Sequence, residues 1–440
     1  MCNLFTDGIT VHRTFKFCLV VCLNYVSVNH PLTSSSPPHL FSLTLLWLKL
    51  GQTLQQQLVQ QKIEETEAHY QGAKTKRRKR YYTPLGEMVV WRRVYPSADG
   101  YQVKVDLQLG LPSEKWLAPV LELACALGVS SEFPNAHKLF QQWTCIDLTE
   151  KTLANQVERT GNQLQIVELG NRLRQDKESE ESPLVPKIER KERIYVGVDG
   201  VMTPLNQQQG YKEAKVGVIF WEKDHQKSQG SRGVIRQREY LATLKSRGEF
   251  RKRVSQLHHL VVGQQTPQTI VIGDGAHWIW EMAQEQFPGA IEILDFFHLS
   301  EYVWAVGSYA YPKQEALQKD WVKQQQQLLK KSQWRQVLKN CSQFRSKRKD
   351  LQSAITSLER YLTNNQTRID YQRYLRLGLM IGSGVVESSN RRVVTQRLKQ
   401  AGMHWSIAGA EGVMALRAAY LSSSNRWSTI WSSRSPLGFS

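Results

Sequence analysis

The sequence predicts an α/β protein in which a sheet is flanked by helices. Two short apolar runs rich in β-branched residues, at 194–198 and 269–272, have the composition of buried strands, and an Asp-Gly pair stands at or just after the end of each. The stretch 385–400 follows the breaker Gly382-Ser383-Gly384 and is compatible with a helix. A chain of 440 residues with 41% apolar residues is large enough for two or three domains.

The first fifty residues stand apart from this pattern. Residues 17–28 are apolar and follow Arg13 and Lys16, so they superficially resemble a signal peptide, and residues 41–50 form a second apolar piece. Both are shorter than the roughly 18 apolar residues that a membrane span needs. We therefore expect residues 1–50 to be an irregular extension of doubtful origin, with no membrane partner; a genuine export signal is the weaker alternative.

Residues 51–174 are expected to form a helical and β DNA-binding region. A Gln/Glu-rich stretch with helical spacing, 54–70, precedes a run from Lys74 to Arg80 in which six of seven residues are basic. A block of like charge is most simply a solvated, flexible arm that contacts phosphates without reading sequence. The DNA-binding candidates in this arm are Lys76, Arg77, Arg78, Lys79 and Arg80. Residues 88–91 and 102–107 have β character.

Three helices are predicted between 117 and 168, with breaks at 128–134 and 145–149. The last two, 135–143 and 151–163, have the size of a helix-turn-helix with Thr149 as a cap, and Lys151 and Arg159 of the second helix are able to meet phosphates or bases. The simpler alternative is that these are three small helices with no reading role.

The charged segment 175–191 is predicted to be a linker, and the catalytic domain is expected in two parts, 192–311 and 367–421, before a tail at 422–440. Further strands are predicted at 216–221 and 291–294, and a helix at 277–286. Residues 312–366 have no strand signal and contain twelve Lys or Arg and four Asp or Glu, an excess of eight positive charges. They are predicted to be an α-helical insertion that contacts DNA, or a hairpin that only braces the fold.

Three carboxylates occupy the positions that a metal-dependent nuclease site would need. Asp199 and Asp274 are expected at strand ends that can share one cleft, and Glu387 on a helix that crosses the two strands. Oxygen ligands of this kind suit Mg²⁺ or Mn²⁺, and two such ions can stabilise both oxygens of a phosphoryl displacement. Any one Asp-Gly after a strand is more often just a turn, so the argument depends on all three together.

The strings VGVDGVMTPL, IVIGDGAHWIWEMAQEQFPGAIEILDFFHLSEYVW and GSGVVESSNRRVVTQRLKQAGMHW resemble those of ISKra-type bacterial insertion-sequence transposases over residues 81–431. The resemblance implies an RNase H-like DDE domain in which Asp199, Asp274 and Glu387 bind the metal ions and activate the nucleophile there. It also implies strand cleavage and transfer at terminal repeats and into target DNA, by a homo-oligomer on paired ends. Asp295 and His298 resemble the Asp/Cys-x-x-His element that supports such sites; a purely structural histidine is the alternative.

The segment after Glu387 is crowded with positive charge. Asn390 lies one turn from Glu387 and is a candidate for bridging to it or to a metal-bound water. Four cations near it are predicted to hold the DNA and to balance the carboxylates, against the alternative of a solvated basic face: Arg391, Arg392, Arg397 and Lys399. Trp405 is expected in the core, with base stacking as the alternative.

The overall composition agrees with a nucleic-acid enzyme. A formal net charge of +19 favours a polyanionic partner, and six cysteines without CxxC pairs favour a reducing, cytoplasmic, nucleoid-associated setting. Two other functions stay open. A catalytically idle DNA-binding remnant of a transposase would share every feature except activity. A phosphatase of the haloacid-dehalogenase type is disfavoured, because its nucleophilic aspartate would fall at Gly197.

Overall fold

The computed structural model describes residues 38–98, 100–178, 192–206, 210–226, 234–344, 348–382 and 384–432, with the backbone alone described at 38–47, 165–178 and 432. These residues form two compact units: one has the chain up to Leu123, Lys138–Leu148 and Trp431, and the other has Ala124–His137 and Thr149–Ile430. The signal-like run 17–28 and the linker residues 179–191 lie outside the described residues. Within the described part of the chain, no helix has the length and apolar character that crossing a bilayer requires.

A long helix and a three-stranded antiparallel sheet make up most of the first unit. In chain order its elements are α1 (Pro38–Glu67), β1 (Thr75–Thr83), β2 (Gly86–Ser97), β3 (Gly100–Gln102) and α2 (Lys104–Gln108), and the sheet order is β1-β2-β3. Helix α1 contains residues 41–50, so this part of the expected irregular extension is helical instead. Residues 104–108 are helical, so the strand predicted at 102–107 was wrong beyond Gln102.

The core of this unit lies between α1 and one face of the sheet. Tyr81, Met88 and Val90 are buried on that face, against Ile63 of α1 and Val105 of α2. Their positions follow the alternation of a strand, in which every second side chain points to the same face. The backbone groups on the edge of β2 that does not pair with β1 form hydrogen bonds with side chains of α1. For example, the Gln60 side-chain amide accepts from the Trp91 N–H and donates to the Trp91 carbonyl.

The basic run is a strand and not a flexible arm. β1 pairs with β2 in a continuous antiparallel register from Thr75↔Val94 to Thr83↔Gly86. Like charges are tolerated in a strand because neighbouring side chains leave on opposite faces and the inner ones find partners. Lys79 Nζ donates to the Pro112 carbonyl at 2.6 Å and lies 3.9 Å from the Asp106 carboxylate.

Three helices follow, as predicted for 117–168: α3 (Ala118–Ser130), α4 (Phe133–Thr144) and α5 (Glu150–Glu178). The hydroxyl of Thr149 accepts from the backbone N–H of Thr152 at 3.2 Å, so the expected cap is present. Helix α5 has 29 residues. It is therefore longer than predicted, and it includes the first residues of the expected linker.

A five-stranded mixed sheet forms the centre of the second unit. Its strands are β4 (Arg193–Pro204), β5 (Tyr211–Trp221), β8 (Glu239–Thr243), β9 (Gln268–Gly273) and β10 (Ile291–Leu294), in the order β10-β9-β4-β5-β8; β6 (His225–Gln226) and β7 (Val234–Ile235) form a separate pair. The neighbours β4, β5 and β8 are antiparallel, whereas β9 and β10 run parallel to β4. This is the strand order of an RNase H-like sheet, and the predicted fold class is confirmed.

Helices surround this sheet and fill the predicted insertion. The bounds are α6 (Arg247–Val262), α7 (His277–Gln286), α8 (Phe296–Ala310), α9 (Glu315–Lys330), α10 (Trp334–Ser342), α11 (Lys349–Asn364), α12 (Tyr371–Arg376), α13 (Gly384–Asn390), a π-helical turn (Arg391–Thr395), α14 (Gln396–Leu398), α15 (Ile407–Leu421) and α16 (Arg426–Ser432). Helix α7 and strand β10 have the predicted bounds. The described part of residues 312–366 consists of helices joined by short turns and contains no strand, as predicted.

Helices α5 and α15 cross at a point where neither has a side chain. A Cβ at Gly161 would collide with the backbone carbonyl of Gly412, and one at Gly412 would collide with the carbonyl of Glu158. The helix backbones are therefore in contact at this crossing, which fixes α5 against α15 within the second unit.

We expect Gly161→Ala to lower the free energy of unfolding by about 1–3 kcal/mol, because the added methyl overpacks a contact between two backbones. Urea denaturation followed by circular dichroism measures this. Gly248→Ala is the matched control: Gly248 lies in the exposed first turn of α6 with only Ser246 Oγ near its Cβ position. That change should be neutral or stabilising by up to about 1 kcal/mol, and an equal loss in both variants would contradict the crossing.

Candidate active site

Three aspartates line up at one edge of the five-stranded sheet. Val198 of β4 pairs with Gly273 of β9, which pairs with Leu294 of β10. The residue that follows each of these three in the sequence is an aspartate: Asp199, Asp274 and Asp295. Because adjacent strands are about 4.8 Å apart, parallel register alone brings carboxylates on neighbouring strands close together.

Asp199 does not end its strand, contrary to the sequence prediction. β4 continues to Pro204, and Asp199 is paired with Val216 of β5. Only the pairing with β9 ends at Val198. The Asp199 backbone is therefore paired with β5 on one side, and on its other side it faces the turn after β9.

The carboxylate of Asp199 is partly buried and has a strongly shifted pKa. Its Oδ1 accepts from the Gly200 N–H at 2.7 Å, and its Oδ2 accepts from the side-chain amide of Asn390 at 2.5 Å. Burial, followed by repulsion from the Asp274 carboxylate, raises the pKa of Asp199 to about 6, although these two hydrogen bonds and His298 act in the opposite direction. Together with the register of β4 and β9, this repulsion indicates that the two carboxylates lie close to each other.

Asp274 occupies a tight turn that a tyrosine from the helical insertion holds in place. Its carboxylate accepts from the Ala276 N–H at 3.0 Å, and its backbone carbonyl accepts from the Tyr361 hydroxyl at 2.5 Å. Gly275 has a φ of +92°, and a Cβ there would meet the Tyr361 ring. Burial and the nearby Asp274 carboxylate raise the pKa of Tyr361, so its hydroxyl stays protonated as a donor.

Helix α13 crosses β4 at a glycine and brings Asn390 to Asp199. A Cβ at Gly197 would collide with the side chain of Val386, so the absence of a side chain at Gly197 lets the helix approach the sheet. The same contact leaves no space for a nucleophile at position 197. Asn390 Oδ1 is buried without a hydrogen-bond partner. The π-helical turn begins at the next residue, and such turns are frequent at functional sites.

Glu387 lies on this helix one turn before Asn390, as predicted, but its side chain is exposed. Across the described residues, no group of three or more His, Cys, Asp or Glu side chains is arranged to hold a metal ion. The structure thus brings Asp199, Asp274 and Asn390 together and leaves Glu387 outside that group.

Asp295 and His298 border the site from helix α8. Asp295 is buried and caps the helix, with its carboxylate accepting from the Phe297 N–H at 2.9 Å. His298 is near enough to lower the pKa of Asp199. Its Nδ1 lies 3.4 Å from Oε2 of Glu301, and its ring centroid lies 6.3 Å from that of Tyr361. Both residues therefore lie where the sequence placed them, beside the two aspartates.

The profile of an uncharacterised protein family, UPF0236, matches residues 49–435. The chain belongs to this family. The comparison with curated proteins finds no match to it. The family carries no description of an activity, so the function of this UPF0236 protein has to be argued from its site.

One predicted DNA contact in the UPF0236 chain was wrong. Arg397 is 1% exposed, its Nε donates to the Gly128 carbonyl at 2.7 Å, and its guanidinium lies 4.7 Å from the Phe133 ring and 5.0 Å from the Trp405 ring. Burial lowers the pKa of Arg397 to about 10. The basic segment is helical, and residues three or four apart share a face, so Arg397 lies on the same buried face as Val393 and Val394. Trp405 is in the core, as expected.

The remaining predicted cations are exposed to different degrees. Arg391 and Arg392 are exposed directly after Asn390, Lys399 is exposed at the end of the basic segment, and Lys151 and Arg159 are exposed on α5. In the first unit Lys76, Arg77 and Arg78 are exposed, whereas Lys79 and Arg80 are partly buried. These positions suit contact with a polyanion but do not identify one.

Sequence reasoning missed the tyrosines of the site. Tyr361 stacks on Tyr302 of α8, with ring centroids 4.2 Å apart and planes at 15°. Tyr361 is 87 residues from Asp274 along the chain. No local pattern connects the two, and only the way the insertion packs brings them together.

We expect Asp199→Asn to stabilise the metal-free protein at neutral pH. Because the folded-state pKa of Asp199 is about 6 and its ordinary value is 3.8, the folded protein retains a proton that the unfolded chain has lost between these values. The carboxylate therefore becomes more destabilising as pH rises from about 4 to about 6 and changes little above that. The advantage of the variant should grow over this range to about 1–2 kcal/mol, allowing for solvent screening.

Urea denaturation in EDTA at a series of pH values measures this advantage. Asp320→Asn, a change at an exposed aspartate of α9, is the control and should give no comparable pH-dependent gain. An Asp199→Asn advantage that is independent of pH would show that the carboxyl pair is not repulsive.

Arg397→Gln is expected to lower the free energy of unfolding by about 2–4 kcal/mol, since it leaves the Gly128 carbonyl buried without its donor and removes the contacts with two rings. Lys399→Gln makes the same change of charge at an exposed position two residues later, and should change stability by less than about 0.5 kcal/mol. Thermal and urea denaturation compare the two. Equal stability of both variants would show that the Arg397 side chain is at the surface and not buried.

Proposed function

We propose that this UPF0236 protein is a DDE-type DNA transposase that catalyses metal-dependent strand cleavage and strand transfer at the ends of an insertion sequence. The observation that carries the proposal is the pair Asp199 and Asp274, held side by side at the carboxyl edge of an RNase H-like sheet. Its substrates would be terminal-repeat and target DNA, which implies work at the nucleoid. Self-association on paired DNA ends rests on the resemblance alone.

The chemistry of the site fits Mg²⁺ or Mn²⁺. Burial and the repulsion between the two carboxylates raise the pKa of Asp199, and a cation bound by them would relieve that repulsion. The buried Asn390 Oδ1 is a further oxygen without a partner. Hard oxygen ligands of this kind are those that these ions prefer. When bound, two ions would stabilise the attacking and leaving oxygens of a phosphoryl displacement.

The chain's own residues would position these ligands and the DNA. Asn390 fixes one oxygen of Asp199, and Tyr361 fixes the backbone of Asp274, so both carboxylates stay oriented without a bound ion. Arg391 and Arg392 are exposed next to Asn390 and would hold phosphates that flank the reacting one. The excess of positive charge in residues 312–366 gives a second surface for the DNA backbone.

Glu387 is the weakest part of the triad, and it favours one other function. The proposal requires Glu387 to move toward the aspartates when metal and DNA bind. If it does not move, and Asn390 does not replace it as the third ligand, the protein is a catalytically idle DNA-binding remnant of a transposase. The exposure of Glu387 and the lack of a three-ligand group in the described part of the chain are the observations that favour this second candidate.

A supercoiled plasmid carrying the DNA that flanks the gene, incubated with Mg²⁺ or Mn²⁺, tests the proposal. We expect the intact protein to nick it, and Asp199→Asn and Asp274→Asn to lower the rate at least about 100-fold, because each removes a ligand that stabilises the transition-state charge. Glu387→Gln should lower the rate as strongly. Glu285→Gln, an exposed glutamate of α7, is the control and should leave the rate unchanged.

The outcomes separate the candidates. DNA binding without nicking in every version would support the idle remnant. Nicking that survives Glu387→Gln but is lost in Asn390→Ala would overturn the predicted triad while keeping the enzyme. A shift in the unfolding temperature on adding Mn²⁺, present in the wild type and absent in Asp199→Asn, reports metal binding independently of cleavage.

A further inference from the structure

The two faces of the sheet in the first unit differ in what their cations do. The inner face of β1 carries Arg77, Lys79 and Tyr81, and the outer face carries Lys76, Arg78 and Arg80. On the inner face Lys79 is bonded to the Pro112 carbonyl, and the Arg77 guanidinium lies 6.0 Å from the Tyr101 ring. These two cations are engaged with the unit's own groups.

The outer face combines available cations with an exposed aromatic ring. Across the strand pair, Lys76 is opposite Arg93 and Arg78 is opposite Trp91. Lys76 and Arg78 are exposed and neither forms an ion pair with a carboxylate in the part of the chain that is described. The Trp91 side chain is 49% exposed, although tryptophan is usually largely buried.

Acidic groups neutralise only part of this surface. Arg80 pairs with Glu87 at 2.8 Å, and Arg93 lies 3.6 Å from the buried carboxylate of Glu67. Lys76 and Arg78 are left, two residues apart on one strand, which separates them by about 6.6–6.8 Å. The outer face thus has a row of positive charge beside an open indole.

A pocket extends this surface at the start of β1. It has a volume of about 540 Å³ and is lined in part by Tyr70, Lys74, Lys76 and Arg93. Two of its lining residues, Lys76 and Arg93, also belong to the outer face, so the pocket and the face are continuous.

We propose that this outer face binds an unpaired stretch of DNA, with Lys76 and Arg78 contacting phosphates and Trp91 stacking on a base. Charge selects a polyanion, and the exposed ring selects an unpaired one, because every base has a face to offer once it is not stacked in a duplex. Phosphates of a duplex would use the cations but leave the indole in water. The choice of DNA rests on the proposed function; the choice of an unpaired strand rests on this surface.

Fluorescence anisotropy of the full-length protein in EDTA tests this, so that binding is measured without cleavage. The probes are a labelled single strand of about 16 nucleotides and the corresponding duplex. Trp91→Ala should weaken single-strand binding about 5- to 100-fold and duplex binding less than about 2-fold, whereas Trp91→Phe should retain most of the affinity. Circular dichroism confirms that each variant is folded.

Arg78→Gln and Arg77→Gln form a matched pair, since they remove the same charge from adjacent positions on opposite faces. We expect Arg78→Gln to reduce the salt dependence of single-strand binding by about 0.7 in the logarithmic slope, and Arg77→Gln to leave it nearly unchanged. Equal effects of the two, or equal loss of single-strand and duplex binding in Trp91→Ala, would overturn the proposal. Tighter binding of oligouridine than of the DNA strand would replace DNA by RNA and also overturn it. Because no metal is present, failure here is distinct from failure to nick.

Discussion

Parallel register in the five-stranded sheet is the constraint on which the candidate site depends. Val198, Gly273 and Leu294 are hydrogen-bonded neighbours, so the residues that follow them must lie side by side. Two of those residues, Asp199 and Asp274, are carboxylates that face the same space, and their repulsion together with burial raises the pKa of Asp199. This arrangement does not contribute to the stability of the fold, because bringing like charges together at a partly buried position is destabilising. Such a loss of stability is expected at functional sites, where residues are retained for their chemistry.

The surrounding groups hold this unfavourable arrangement in place. Asn390 donates to Asp199 from a helix that can approach only because position 197 has no side chain. Tyr361 donates to the backbone of Asp274 from the far end of the helical insertion. Neither hydrogen bond neutralises a charge, so both orient the carboxylates without removing the demand for a cation. The insertion therefore belongs to the architecture of the site, whatever part its basic surface plays in contacting DNA.

Short-range signals in the sequence predicted much of this protein, and long-range packing explains what they missed. Helix His277–Gln286 and strand Ile291–Leu294 were predicted to the residue, because their apolar spacing and their flanking breakers are local. The basic run was read as a flexible arm, yet it forms β1, since its partner β2 supplies the pairing and inner cations such as Lys79 find acceptors. Arg397 looked like a DNA contact because charge predicts exposure, but a carbonyl and two rings compensate its burial. Asp199 and Asp274 could be predicted because each follows an apolar run typical of a buried strand. The contact between Asn390 and Asp199 could not be predicted, because it depends on how α13 packs against the sheet.

The relation between Glu387 and Asn390 decides what the site can do. Three residues on a helix are about 4.5 Å apart along its axis and about 60° apart around it, so Glu387 and Asn390 are neighbours on the same side of α13. In the present position the amide faces the aspartate and the glutamate is exposed. The proposed chemistry therefore needs the Glu387 carboxylate to turn toward the aspartates, through a different side-chain conformation or a rotation of part of the helix. The π-helical turn Arg391–Thr395 follows immediately, and such single irregular turns within a helix are frequent at functional sites. The same turn carries Arg391 and Arg392, so in the proposed complex the DNA phosphates that these arginines hold would lie next to Glu387 and Asn390.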